Sequence, residues 1–151
     1  MKNPISIRLA VTNERKELEA LQWRSSLSNP GDPEALLANP DAIALPAEQI
    51  AAAQVFIAEV DNKIVGFAAV LPRPDGETEL DGLFVEPNFW RHGIGRSLVD
   101  HCGNYAIASN STALYVIGNS HAKGFYEACG FEFLGMTGTR FGAGLLLRKK
   151  L

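Results

Sequence analysis

Residues 81–100 read DGLFVEPNFWRHGIGRSLVD, and the rest of the chain is read outward from them. Leu83, Phe84 and Val85 form a short apolar run rich in β-formers. Glu86 and Pro87 end it, because proline has no N–H to give a sheet ladder. Beyond them Ile94, Leu98, Cys102 and Tyr105 recur at helical spacing. The pattern predicts strand, tight loop and helix, with Gly93 and Gly95 at the helix mouth. Glycine lets the chain turn sharply there and brings main-chain N–H groups close to a ligand. The first N–H groups of a helix have no internal partner, and the helix dipole makes that end partly positive. Phosphate is the usual guest of such an end. Arg91 and Arg96 flank the glycines with further positive charge. The stretch therefore reads as a pyrophosphate cradle. It is not a Walker loop, since no G-K-[ST] follows, and the third glycine of a dinucleotide fingerprint would fall at Leu98. Taken alone, it is also compatible with an ordinary strand–turn–helix link whose glycines serve packing.

On the N-terminal side, residues 5–11 alternate apolar and polar, which marks a half-buried strand. Thr12 or Asn13 is placed to cap a helix over about 14–27, with Leu18, Leu21 and Ser25 on one face. Residues 28–33 (SNPGDP) are a breaker cluster, residues 34–38 a short helical turn, and Asn39-Pro40 a second break. Residues 46–54 predict a helix with Pro46 in its first turn. Residues 55–60 and 64–71 predict a hairpin around Asp61-Asn62-Lys63, followed by a loop at 72–76 and a strand over 77–85. On the C-terminal side the helix continues to about Ser109, and 112–117 is β-rich. Asn119 is placed to cap a helix carrying Ala122, Phe125, Tyr126 and Cys129, with Gly130 as its left-handed stop. Residues 131–136 and 142–147 predict a last pair of strands that could form a hairpin across a rather long loop, and Arg148, Lys149 and Lys150 a solvated tail. The order β-α-α-ββ-β-α-β-α-ββ is that of an α/β fold, a mixed and mostly antiparallel sheet flanked by helices.

The length, 151 residues, suits a single domain, residues 1–151, with a full-sized core. A net charge of −3 argues against a nucleic-acid protein held by phosphate contacts. The two cysteines, Cys102 and Cys129, fall on apolar helix faces and read as buried thiols rather than a disulfide. No Cys/His cluster has zinc spacing, so no metal is expected. The start, MKNPISIRLAV, lacks the long apolar core of a signal peptide, and no apolar run approaches membrane-spanning length. The expected setting is a reducing cytoplasm, away from membranes.

VEPNFWRHGIGRSLVDH, followed after one strand by NSHAKGFYEACGF, resembles the GCN5-related N-acetyltransferases, the GNAT family. That family's pattern is a strand, a V-x-P turn, an R/Q-x-x-G-x-G/A loop and, later, an N-x-x-A-x-x-F/L-Y-x-x-x-G-F helix. Both motifs stand here in order, with one strand between them, and the element order of the whole chain agrees. One departure is Trp90, where the family has Arg or Gln, with Arg91 one position later. The resemblance implies acetyl-CoA as co-substrate, lying against Leu83, Phe84 and Val85 on a strand that splays from its neighbour. The backbone of Arg91, His92, Gly93, Ile94, Gly95 and Arg96 would hold the pyrophosphate. Asn119 would face the pantetheine arm, and Tyr126 would protonate the leaving thiolate. By family habit a homodimer is also implied.

Acetyl transfer from a thioester to an amine needs no metal; it needs a neutral amine beside an activated carbonyl, so positioning supplies much of the rate. The N–H of Val85 is a candidate oxyanion donor. An amine with a pKa of about 10 arrives protonated, and a carboxylate must take its proton, directly or through water. Glu79 and Asp81, two apart on one strand, share a face. Glu79 is the preferred base, matching a frequent family glutamate; Asp81 and a water chain stay open, and both acids could be solvent-facing edge charges. Tyr126, whose reference pKa is about 10, suits a donor to a thiolate; the competing reading is a core tyrosine. Trp23 reads as core, although with Arg24 it could line an acceptor pocket. His92, His101 and His121 read as surface residues. Arg140 and Phe141 either read an acidic acceptor group or sit in an exposed loop. Two functions follow: an N-acetyltransferase acting on a primary amine of a small molecule or protein, or a CoA-binding sensor or interaction module without turnover.

Overall fold

The computed structural model describes residues 4–28, 43–139 and 142–151. In chain order the elements are β1 (Ser6–Leu9), a 3-10 turn (Thr12–Glu14), α1 (Arg15–Leu27), α2 (Ala47–Ala51), β2 (Val55–Val60) and β3 (Lys63–Pro72). Then follow β4 (Thr78–Val85), a 3-10 turn (Pro87–Phe89), α3 (Ile94–Ala108), β5 (Ala113–Gly118), a 3-10 turn (Ser120–Ala122), α4 (Lys123–Ala128), β6 (Glu132–Thr139) and β7 (Gly142–Lys150). The strands make one mixed seven-stranded sheet, order β1-β2-β3-β4-β5-β7-β6, flanked by the helices. β4 and β5 run parallel, while β1–β2, β2–β3, β5–β7 and β6–β7 are antiparallel. This is the fold class that the element order predicts. Among the described residues no helix is long and apolar enough to cross a membrane. The chain forms two compact units, Met1–Ala69 with Gly82–Leu98 and Val70–Asp81 with Val99–Leu151.

The core of the first unit gathers Leu18 and Leu21 from α1, Ile50 from α2, and Val55, Ile57 and Phe67 from β2 and β3. Burying side chains of this size stabilises by about 1.5–3 kcal/mol each. Ser25 joins the buried face of α1 as its spacing predicts, but Trp23 is only half-buried. Neither Thr12 nor Asn13 caps the first helix. The Glu14 carboxylate accepts the Val11 N–H at 2.9 Å and pairs with Arg8 at 2.7 Å, and Arg8 also reaches Glu59 at 2.9 Å. A charged acceptor already oriented by an arginine outcompetes a hydroxyl or an amide. α2 is shorter than its pattern, because Pro46 lies outside it as N-cap and Ala53 enters the left-handed region at φ +60°. The hairpin turn has Asp61 and Asn62 both at positive φ, which matches the twist of the flanking strands. The breaker loop at 29–33, the helical turn at 34–38 and Asn39-Pro40 lie outside the described residues.

In the second unit β7 is an interior strand between β5 and β6, so Arg148, Lys149 and Lys150 are not a solvated tail. They pair with Tyr115, Leu114 and Ala113, and the Lys149 ammonium donates to the Cys129 carbonyl. Arg148 and Lys149 are half-buried and Lys150 is exposed; long charged side chains can cover apolar surface from a strand, which is why a charge run misreads as a tail. β6 and β7 do form a hairpin, but they stay paired out to Thr139 and Gly142, so the joining loop shrinks to residues 140–141, outside the described residues. Cys102 and Cys129 are buried thiols that form no disulfide among the described residues. On α3 the buried row passes through Cys102 to Ala106, leaving Tyr105 half-buried. On α4 Tyr126 is buried but Phe125 is 38% exposed, since so short a helix presents one narrow inner face. Gly130 ends it at φ +96°, as expected.

Candidate active site

Strand alternation builds the first part of the site. The Glu86 N–H donates to the Val65 carbonyl of β3 at 2.8 Å. Main-chain groups of successive strand residues point to opposite edges, so those of Val85 and Leu83 face away from β3. The parallel register of β4 with β5 takes in Thr78, Glu79 and Leu80. Leu83 and Phe84 are half-buried, Val85 is buried, and the Phe84 ring packs on Phe67 with centroids 5.3 Å apart. The chain then makes the Pro87–Phe89 turn, and the Trp90 indole N–H donates to the Val85 carbonyl at 2.8 Å. One of the Val85 groups expected to be available for a ligand thus already has a partner.

Arg91 (φ +64°) and Gly93 (φ +82°) both take left-handed backbone, and Arg91, His92 and Gly93 are exposed. Nothing lies within 4 Å of where a Gly93 Cβ would stand. The Gly93 carbonyl accepts the Ser97 N–H at 3.0 Å, which starts α3. The amides of this first turn have no carbonyl four residues back to bond. Ile94 is buried and Gly95 half-buried, while Arg96 is exposed. A Cβ on Gly66 would meet the Phe84 carbonyl at 3.0 Å and Ile94 Cγ2 at 3.3 Å, so glycine at 66 lets β3 sit close beneath this turn. The residues present fit an anionic diphosphate: an open glycine, helix-opening amides and two nearby arginines. His92 stands edge-on to Phe89 with centroids 6.0 Å apart. Beside Glu86, Arg24 makes a two-pronged ion pair at 2.8 and 2.9 Å, which commits the guanidinium considered for an acceptor pocket.

The second unit carries the titratable candidates. Glu79 is half-buried and Asp81 exposed. Burial first, then the negative charge of Asp81, push the Glu79 carboxyl above its usual range, and Arg73 opposes them. The effect of Asp81 agrees with the shared face that their spacing predicts. Arg73, which sequence reasoning missed, stacks on Tyr115 at 3.9 Å and pairs with Asp75 at 3.2 Å. Tyr115 is the residue opposite Glu79 in the β4–β5 register. Only tertiary pairing brings these together, so no local signal reveals it. Asn119 is exposed, and its side-chain oxygen accepts the Ala122 N–H at 3.0 Å, the capping role expected. Tyr126 is 8% exposed, its ring edge-on to Phe125 and Phe131 at 5.2 and 5.4 Å. Burial, with Cys129 and Cys102 nearby, raises its hydroxyl above the ordinary tyrosine value and keeps it protonated. His101 is half-buried, with its pKa lowered by burial; His92 and His121 are exposed. Arg140 and Phe141 lie outside the described residues. Among the described residues no three His, Cys, Asp or Glu side chains gather as a metal site.

A model of the acetyltransferase (GNAT) family matches residues 16–131. A Mycobacterium tuberculosis protein described as a probable N-acetyltransferase is 35% identical over 92 residues, 56% of this chain and 50% of that relative. The matched part thus spans half the relative's length. Among solved structures, the PaiA N-acetyltransferase of Thermoplasma acidophilum in complex with coenzyme A superposes with a TM-score of 0.76 at 16% identity, covering 98% of this chain and 99% of that one. A GCN5-related N-acetyltransferase of Rhodopseudomonas palustris gives 0.74 at 21% identity over 100% and 97%. A Salmonella typhimurium chain solved with acetyl-CoA gives 0.72 at 14% over 98% and 94%. At such identities these likenesses establish the fold. The family match covers most of the chain and includes the whole stretch from β4 into α3, and with it the chain belongs to the GNAT family of acetyltransferases.

Proposed function

We propose that this chain is an acetyl-CoA-dependent N-acetyltransferase that moves an acetyl group directly to a primary amine of a small molecule or protein. The observation that carries the reading is the run from the end of β4 into the left-handed turn at Gly93 and the mouth of α3. Solved relatives that hold coenzyme A or acetyl-CoA support the choice of co-substrate. Acetyl-CoA supplies an acyl thioester. The amides from Arg91 to Arg96 hold its diphosphate, and the main-chain groups of Leu83 and the N–H of Val85, which face away from β3, align its pantetheine arm and thioester, while the Phe84 main chain stays with β3. The amide group of Asn119 not used in capping also serves that arm.

Glu79 accepts the proton of the acceptor ammonium, directly or through water. Its raised pKa brings it nearer the pH at which an amine must be deprotonated, which strengthens it as a base. The Val85 N–H stabilises negative charge on the carbonyl oxygen. Tyr126, kept protonated by burial, gives its proton to the departing sulfur. The ammonium sheds two protons in all: Glu79 takes the first before attack and passes it to water, and the second, lost from nitrogen as the C–N bond forms and the C–S bond breaks, replaces the proton that Tyr126 gives to sulfur. We read residues 1–151 as one domain, since β3 and β4 each lend residues to both compact units. The buried thiols suit a reducing cytoplasm.

The test is release of free CoA thiol from acetyl-CoA in the presence of a panel of amines. Amine-dependent thiol release is the expected result. Binding of acetyl-CoA without release by any amine would instead identify a sensor or interaction module.

A further inference from the structure

We propose that Trp90 is a positioning residue for the diphosphate cradle, its indole N–H fixing the Val85 carbonyl at the end of β4. The inference rests on the acetyl-CoA reading and goes beyond it. Three partners converge on the link between Val85 and Glu86. The Glu86 N–H is held by the Val65 carbonyl at 2.8 Å, and the Glu86 carboxylate by Arg24 at 2.8 and 2.9 Å. The Val85 carbonyl is held by Trp90 at 2.8 Å. The first two tie the link to β3 and α1. The third ties it forward, to the residue just before the left-handed pair of backbone conformations at Arg91 and Gly93.

The turn between them is short and internally bonded, with Phe89 N–H to the Glu86 carbonyl at 2.8 Å and Trp90 N–H to the Pro87 carbonyl at 3.2 Å. Closing it with the indole fixes where the cradle begins relative to the last residue of the strand. A loop held in its bound conformation before the ligand arrives loses less ordering entropy on binding. Trp90 is 37% exposed, so its ring is not committed to a core that would by itself explain the residue. The family's Arg or Gln at this position would offer a polar side chain; here a main-chain latch stands in its place.

Two variants test this. Trp90→Phe removes the donor and much of the ring; 3-benzothienylalanine at position 90 keeps the ring's shape and removes only the N–H. The expected result for both is a roughly three- to tenfold rise in KM for acetyl-CoA and in Kd for CoA, the span a single neutral hydrogen bond commands. Turnover number and melting temperature should stay at wild-type values. A benzothienyl variant that binds CoA as the wild type does would overturn the inference and leave the cofactor reading standing. Equal losses in kcat and affinity together with a lowered melting temperature would also overturn it, since they indicate packing. A wild-type protein that binds neither CoA nor acetyl-CoA would remove the cofactor reading and this one with it.

Discussion

Tyr126 and Glu79 are each tuned by the same force, removal from water, and the proposed mechanism uses the form that burial favours in the tyrosine and the added basicity it gives the glutamate. Burial disfavours the charged form, so it holds a phenol protonated and makes a carboxylate more basic. Tyr126→Phe should lower kcat about 10–10³-fold, a loss typical of a general acid, with acetyl-CoA affinity little changed. Steady-state rates together with calorimetry would check it, and wild-type turnover would remove Tyr126 from the mechanism. Glu79→Gln should cost about 10²–10⁴-fold in kcat and erase the acid limb of the pH–rate profile. Because the raised pKa places that limb above the pH of an ordinary glutamate, Asp81→Asn, which deletes a raising charge, should move it to lower pH. The same shift makes a stability prediction. Between its unfolded and folded pKa values Glu79 binds protons more tightly in the folded state, so its contribution to stability declines as pH rises through that window. Glu79→Gln should therefore melt higher than wild type near neutrality, and the gap should close in acid. Melting curves across pH would decide it. Both residues stand out in the sequence, Tyr126 through its motif and Glu79 through its place on the strand. Arg73 does not, because its neighbours Tyr115 and Glu79 meet it only through strand pairing.

The turn from β4 into α3 works as a unit of backbone rather than of side chains. Gly93 at φ +82° faces open space, so a larger side chain would clash with nothing in the protein itself. Gly93→Val should still weaken acetyl-CoA binding by about tenfold or more, because a β-branched residue resists left-handed backbone and costs on the order of 1–3 kcal/mol there. Calorimetry would measure it, and intact affinity would show that the cradle lies elsewhere. This element is readable from the chain alone, since proline, paired glycines and helical periodicity are local signals. Other boundaries were not. The start of the first helix is set by Glu14 and Arg8 rather than by Thr12 or Asn13, and Arg8 belongs to the strand before it. α2 stops early because Ala53 turns left-handed to enter β2, although its run of alanines favours helix.

Over the whole molecule the decisive feature is the place of the last strand. β7 lies between β5 and β6, so its residues up to Arg148 pair on both sides, while Lys149 and Lys150 continue the ladder with β5. Deleting residues 148–151 would remove the pairs with Tyr115, Leu114 and Ala113, the Leu151 N–H to the Thr112 carbonyl at 2.9 Å, and the Lys149 contact with Cys129. At about 1 kcal/mol for each of several hydrogen bonds, and about 2–4 °C per kcal/mol at this size, the melting temperature should fall by roughly 10 °C. A truncated chain that melts with the full-length protein would contradict that pairing.

Element order, family and the turn at Gly93 that opens a helix could all be read from local grammar: periodicity, breakers and two motifs in sequence. Strand order, the strand pairing of Arg148, Lys149 and Lys150, the latch from Trp90 to Val85 and the company of Glu79 could not. Each depends on residues far apart in the chain, or on which edge of a strand a main-chain group faces, and hydrogen bonds of that kind carry no signature in the order of residues.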